Sequence, residues 1–134
     1  MAGRLAFDTT FLIDLQRERM GGDSRGPAHR FLADTPDQEL YLSVTALGEF
    51  AEGFEQAGDP LLRAIRELHV LLPIDEKTAL IYGQLARGLR GAGRLIGAND
   101  LWIASASLQH DLPLVTSNAT EFGRVKGLEV VRYD

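Results

Sequence analysis

Residues 4–15 read RLAFDTTFLIDL, and their pattern recurs along the rest of the chain. A short apolar run stops at Asp8, two threonines follow, and the apolar pattern restarts at Phe11 with helical spacing. We therefore predict a buried strand over residues 5–8 that leads directly into a helix over residues 9–20. A carboxylate at such a junction either caps the helix or forms one corner of a functional site beyond the strand.

Short apolar runs and longer helical patterns alternate through the whole sequence. We expect one domain over residues 1–134, because this length suffices for a sizeable core and no repeat or linker interrupts it. Strands that alternate with helices predict an α/β fold with a mostly parallel sheet. The predicted strands are residues 5–8, 40–43, 70–72, 112–116 and 130–132, and the predicted helices are residues 9–20, 27–33, 45–57, 61–68, 76–89 and 100–110.

The composition, 45% hydrophobic and 25% charged, is ordinary for a globular protein and narrows the function classes. The chain has no cysteine, which excludes disulfides, thiolate metal sites and a cysteine nucleophile. No apolar stretch approaches the ~20 residues of a membrane span, and the first residues lack the apolar core of a signal peptide. We therefore expect a cytoplasmic protein without a membrane segment. The net charge of −5 argues against general nucleic-acid binding, since phosphate contacts need Lys and Arg.

Acidic residues recur where the predicted strands end or the following helices begin. Asp8 ends the first strand, Glu49 lies early in the helix after the second, and Asp100 starts a later helix. Asn118 and Glu121 follow the fourth strand. Sites in open α/β sheets form beyond the carboxyl ends of the strands, so we expect these residues to converge. Oxygen ligands without Cys or His favour Mg²⁺ or Mn²⁺, and such a site suits metal-assisted phosphodiester hydrolysis.

Each of these residues also has a purely structural explanation. Asp8 is a good helix N-cap, and either Asn99 or Asp100 could cap the later helix. Asn118 could occupy a turn or cap a short helix that runs through Glu121. Solvated or helix-forming roles would suffice for the remaining residues, which are Thr10, Glu49 and Glu121.

Four segments, in order and at normal spacing, carry a resemblance to a known family. They are FDTTFLIDL with Asp8 and Thr10, LSVTALGEFAEGF with Glu49, RLIGANDLWIASASL with Asp100, and LVTSNATEFGRVKGLEVV with Thr116, Asn118, Glu121 and Phe122. The chain resembles PIN-domain ribonucleases, and more narrowly the VapC-type toxins of VapBC toxin–antitoxin pairs.

The resemblance implies a PIN-like three-layer sandwich in which helices flank a parallel five-stranded sheet. It implies Mg²⁺ or Mn²⁺ held by Asp8 and Asp100 with help from Glu49. Many relatives carry Asp at position 118, so the fourth acid remains open between Asn118 and Glu121. We rank Glu121 as the acid, with Asn118 placing water or phosphate and Thr10 bonding a water or phosphate oxygen.

The family hydrolyses RNA, often structured RNA such as tRNA. Its members usually form homodimers and are silenced by a cognate VapB-like antitoxin that bears a DNA-binding domain. DNA would therefore be contacted only through the antitoxin. Arginine suits bidentate phosphate contacts better than lysine does, and the arginines favoured for RNA contacts are Arg17, Arg87 and Arg94.

Two other function classes compete with a nuclease. A phospho-accepting receiver domain has a similar size and sheet but needs an acidic pair after its first strand, where this chain has Phe7 and Asp8. A non-catalytic PIN-like scaffold would bind RNA or protein without cleavage, and the amide at position 118 keeps that alternative open.

Overall fold

Residues 3–134, which the computed structural model describes, form five strands and seven helices. The elements alternate along the chain as the sequence predicts, so the α/β fold is confirmed. In chain order they are β1 (Arg4–Phe7), α1 (Thr9–Met20), α2 (Pro27–Asp34), β2 (Glu39–Ser43), α3 (Val44–Ala51), α4 (Pro60–Leu68), β3 (Val70–Leu72), α5 (Glu76–Gly91), α6 (Ala98–Gln109), β4 (Leu114–Thr116), α7 (Ala119–Phe122) and β5 (Val130–Arg132).

All strand pairs in the sheet are parallel, and the strand order is β3-β2-β1-β4-β5. Phe7 at the end of β1 lies opposite Leu42 of β2 on one side and Val115 of β4 on the other. The chain moves outward from β1 to β3 and then crosses back to β4 on the far side of β1. The carboxyl ends of β1 and β4 therefore form the switch point at which α/β sheets place their sites.

The core is built around the end of β1 and the start of α1. Phe7 and Phe11 are 1% exposed, and their ring centroids lie 4.5 Å apart. Leu42 and Val115, on the two neighbouring strands, are fully buried. Burial of these apolar side chains fixes the direction in which β1 delivers the next residue, Asp8. Within residues 3–134 no helix has the length and apolarity to cross a bilayer.

Two predicted boundaries are wrong for identifiable reasons. The helix predicted over residues 45–57 is α3, which ends at Ala51 because the amides of Gly53 and Phe54 turn back to the carbonyls of Phe50 and Ala51. The Phe50 and Phe54 rings, 5.1 Å apart, then pack across that turn.

The strand predicted from residue 112 begins at Leu114 instead. Its first two predicted residues cannot donate to a neighbouring strand: the Leu112 amide bonds to the Ser107 carbonyl, and Pro113 has no amide hydrogen.

Candidate active site

The candidate site lies at the switch point, where β1 and β4 end beside the starts of α1 and α6. Asp8 follows β1, while Asn118 and Glu121 follow β4. Glu49 comes from α3 and Asp100 from the first turn of α6. The structure brings these residues together around Asp100.

Asp8 is an almost fully buried carboxyl group, 2% exposed. One oxygen, Oδ1, accepts hydrogen bonds from the Thr10 hydroxyl at 2.6 Å and the Phe11 amide at 3.3 Å. The other, Oδ2, accepts from the Thr116 hydroxyl at 2.6 Å. The prediction that Asp8 caps the helix is therefore correct, but capping occupies only part of this carboxylate. Burial raises the pKa of Asp8, although these hydrogen bonds act in the opposite direction.

Two threonine hydroxyls join the end of β1 to the end of β4. Thr10 donates to Asp8 and accepts from the Ser117 amide at 3.3 Å. Thr116 donates to the same carboxylate and accepts from the Asn118 amide at 2.8 Å. The sequence placed Thr116 in the fourth motif without a role, and its position as the last residue of the strand beside β1 is the signal that could have identified it.

Glu49 is held at both of its carboxylate oxygens. The Thr9 hydroxyl donates to Oε1 at 2.6 Å, and the Asn99 side-chain amide donates to Oε2 at 3.2 Å. These donors stand at the starts of α1 and α6, so Glu49 connects three helices. A purely solvated role does not fit this side chain. Sequence reasoning gave no role in the site to Thr9 and considered Asn99 only as a helix cap.

Asp100 lies inside the first turn of α6, and the N-cap of that helix is Gly97. The prediction that Asn99 or Asp100 caps the helix is therefore wrong. Burial raises the pKa of Asp100 to about 6, with further contributions from the charges of Glu121, Glu49 and Asp8 in that order. The charges of three acids thus act on Asp100 at this edge of the sheet.

The side chains of Asn118 and Glu121 are hydrogen-bonded to each other, so both lie at the fourth position of the candidate site. Asn118 is the N-cap residue of α7, yet its side chain makes no capping hydrogen bond. Its Nδ2 group donates instead to Glu121 Oε2 at 2.7 Å. The carboxylate that acts on Asp100 is that of Glu121, and Asn118 orients it.

The donor set fits a hard divalent cation in its chemistry. All the acids offer oxygen, and a cation would relieve the repulsion that raises the Asp100 pKa. Among residues 3–134 no three His, Cys, Asp or Glu side chains stand close enough to form a ready metal cage. Mg²⁺ commonly takes only one or two protein carboxylates and keeps several waters, so a complete protein cage is not required.

The three arginines favoured for RNA contacts lie at different places, on α1, on α5 and in the loop before α6. Arg17 is exposed on α1 and pairs with Asp14 at 3.9 Å. Arg87 lines a cavity between α5 and the start of α6. Arg94 lines a different cavity, on the other side of α5.

The chain is similar to known proteins over nearly its whole length. The PIN domain family profile matches residues 5–128. Ribonuclease VapC1 of Haemophilus influenzae (strain R2866) is 32% identical over 128 residues, covering 91% of this chain and 92% of the relative. Ribonuclease VapC1 of Methanocaldococcus jannaschii is 28% identical over 132 residues, covering 98% and 88%. A solved structure of VapBC-1 from nontypeable Haemophilus influenzae superposes with a TM-score of 0.79 at 29% identity, covering 97% of this chain and 98% of the matched chain.

Proposed function

Because the chain belongs to the PIN domain family and within it to the VapC ribonucleases, we propose that it is a metal-dependent endoribonuclease toxin. The observation that carries this proposal is the convergence of four carboxylates, from Asp8, Glu49, Asp100 and Glu121, at the switch point of the sheet. Oxygen-only donors at such an edge suit metal-assisted hydrolysis of a phosphodiester.

Asp8 and Asp100 would hold Mg²⁺ or Mn²⁺, with Glu49 assisting. When bound, the ion would supply Lewis acidity that polarises the scissile phosphate and offsets its developing charge. Both oxygens of Glu49 accept hydrogen bonds, which orient this carboxylate to take a proton from the attacking water. We expect water to form the new P–O bond as the P–O3′ bond breaks and the 3′-oxygen leaves with a proton, which gives a 5′-phosphate and a 3′-hydroxyl.

The hydroxyl of Thr10 has a narrower role than the sequence suggests. Its one proton is donated to Asp8, so while that bond lasts it can accept from water but cannot donate to a phosphate oxygen. Asn118 uses one of its two Nδ2 hydrogens on Glu121 and keeps the other for a phosphate oxygen or water. We therefore assign phosphate contact to Asn118 and water placement to Thr10.

Further features of the proposal rest on the resemblance. VapBC-1, the structure with a TM-score of 0.79, is named for a toxin–antitoxin pair, which supports a VapB-like antitoxin as the partner of this chain. A tRNA-like substrate, a homodimer, DNA contact only through the antitoxin and a cytoplasmic location stay predictions.

Cleavage of a folded RNA by the purified protein tests the proposal. We expect cleavage in Mg²⁺ or Mn²⁺, none in EDTA, and loss of at least ~100-fold in Asp8→Ala and Asp100→Asn. Asp37→Asn is the matched control, because Asp37 is exposed in the loop before β2. Mapping should find 5′-phosphate ends. Full activity in EDTA would refute the proposal, and RNA binding without cleavage in any metal would indicate the non-catalytic scaffold.

A further inference from the structure

A cavity of about 520 Å³ lies between α5 and the segment that follows α7. Three basic side chains line it: Arg94, Arg124 and Lys126. Apolar side chains complete its wall, and they are Leu85, Leu89 and Val125. Cations around an apolar floor suit a ligand that has both an anionic and a flat, weakly polar part.

The charge of this cavity is uncompensated. Among residues 3–134 the ion pairs involve Arg17, His29 and Arg132, so none of the three basic residues of the cavity lies within 4.0 Å of a carboxylate. The chain as a whole carries a net charge of −5. A cavity that gathers three unpaired cations on an acidic protein indicates an anionic ligand.

Two of the cations stand on the same segments as the catalytic acids. The Arg124 amide donates to the Glu121 carbonyl at 3.1 Å, which places Arg124 within one turn of that acid. Arg94 stands in the loop that leads into α6 and Asp100. Two segments that line the cavity therefore continue directly into the acidic site, one to Glu121 and the other to Asp100.

We propose that this cavity binds the nucleotide next to the scissile phosphate, an inference that rests on the proposed function. The neighbouring phosphate lies on Arg94, Arg124 and Lys126, and the base packs against Leu85 and Leu89. Arginine binds phosphate through two parallel hydrogen bonds. The apolar floor has no groups that read a base edge, so this subsite fixes the path of the strand without selecting its sequence.

Binding of a fluorescein-labelled single-stranded 12-nucleotide RNA, measured by anisotropy in EDTA, tests the inference. We expect Arg94→Gln/Arg124→Gln/Lys126→Gln to lose at least ~10-fold in affinity and to reduce the salt slope by about 2. The control triple variant, Arg30→Gln/Arg63→Gln/Arg66→Gln, changes the net charge equally at exposed helix positions. We expect it to lose less than about threefold.

Two glycines of α5 provide a second test that leaves every charge in place. A Cβ at Gly88, which lines this cavity, would meet no atom within 4 Å, and the same is true of Gly83 in the cavity that contains Arg87. Leucine is also a better helix former than glycine. Gly88→Leu should therefore fold and weaken RNA binding by about 5-fold or more, since it fills the subsite, whereas Gly83→Leu should bind as the wild type does.

Equal losses of RNA affinity in the two triple variants, or unchanged RNA binding by Gly88→Leu, would overturn the inference. The proposed function would stand in that case if the wild-type protein cleaves RNA. A larger loss in Gly83→Leu would assign the strand to the other cavity. If the triple variant at the cavity kept its RNA affinity but lost antitoxin binding, the inference would be overturned and the cavity would be a protein-binding site. A wild-type protein that neither binds nor cleaves RNA would overturn the proposed function and this inference together.

Discussion

Replacement of Asp100 by asparagine should stabilise the metal-free protein, although we expect the same change to abolish cleavage. Burial and three neighbouring acids raise the Asp100 pKa from 3.8 to about 6. That rise corresponds to roughly 3 kcal/mol at about 1.4 kcal/mol per pKa unit. Because the side chain is partly exposed, solvent screening reduces the figure to about 1–2 kcal/mol. The dipole of α6 favours a carboxylate in its first turn by about 0.3–1 kcal/mol and opposes the gain.

The expected net gain in unfolding free energy is therefore about 1 kcal/mol, or a rise in Tm of roughly 3–5 °C for a chain of this size. Because the folded-state pKa lies above the unfolded value, the unfavourable charge is fully present above about pH 6 and disappears as the pH falls toward 4. The difference between Asp100→Asn and the wild type should thus be large near pH 7.5 and small near pH 4.5.

Thermal unfolding in EDTA, followed by circular dichroism at both pH values, measures this difference. Asp37→Asn makes the same chemical change at an exposed loop position and should leave Tm within about 1 °C of the wild type. Added Mg²⁺ should then raise the Tm of the wild type more than that of Asp100→Asn. A lower Tm for Asp100→Asn near pH 7.5, or an advantage that persists unchanged near pH 4.5, would show that burial and the neighbouring acids do not destabilise the Asp100 carboxylate.

Three other changes have calculable outcomes. Thr116→Val removes a buried hydroxyl that bonds both Asp8 and the Asn118 amide, so urea unfolding should show a loss of about 2–4 kcal/mol, while Thr116→Ser should lose less than half as much. Tyr133→Phe removes the 2.5 Å hydrogen bond to Asp14; because Asp14 is half-buried and water can replace the donor, we expect a loss of only about 0.5–1.5 kcal/mol. Burial lowers the pKa of His69, so its contribution to stability is present above about pH 6.5 and lost as the pH falls. In His69→Phe the midpoint of urea unfolding should therefore fall less steeply as the pH is lowered. An unchanged slope would show that His69 is not the source of this pH dependence.

The fold was predictable from the sequence because its signals are local. The apolar run before Asp8 and the helical spacing after it specify both the strand and the helix that follows. The α3 boundary failed because Phe50 and Phe54 keep helical spacing although the backbone has already turned. Their packing on each other gives the same apolar pattern in a turn as in a helix.

The acidic residues of the candidate site could be predicted from the sequence, but the side chains that hydrogen-bond to them could not. Carboxylates after strands stand out, whereas the hydroxyl of Thr116 and the amide of Asn99 act through partners distant in sequence. Asn118 and Glu121, which the sequence left as alternatives, are hydrogen-bonded to each other in three dimensions. Such pairings depend on how α6 and β4 meet the rest of the sheet, which short-range patterns do not encode.

The hydrogen bond between Thr116 and Asp8 spans 108 positions of the chain, and this separation governs when the site can exist. β1 is synthesised long before β4, its neighbour in the sheet. During translation the Asp8 carboxylate has neither Thr116 nor Glu121 beside it until those residues leave the ribosome. Domains made from the amino terminus cannot close such long-range contacts early. A nascent chain would thus lack the complete acidic site until residues 116–121 have been synthesised.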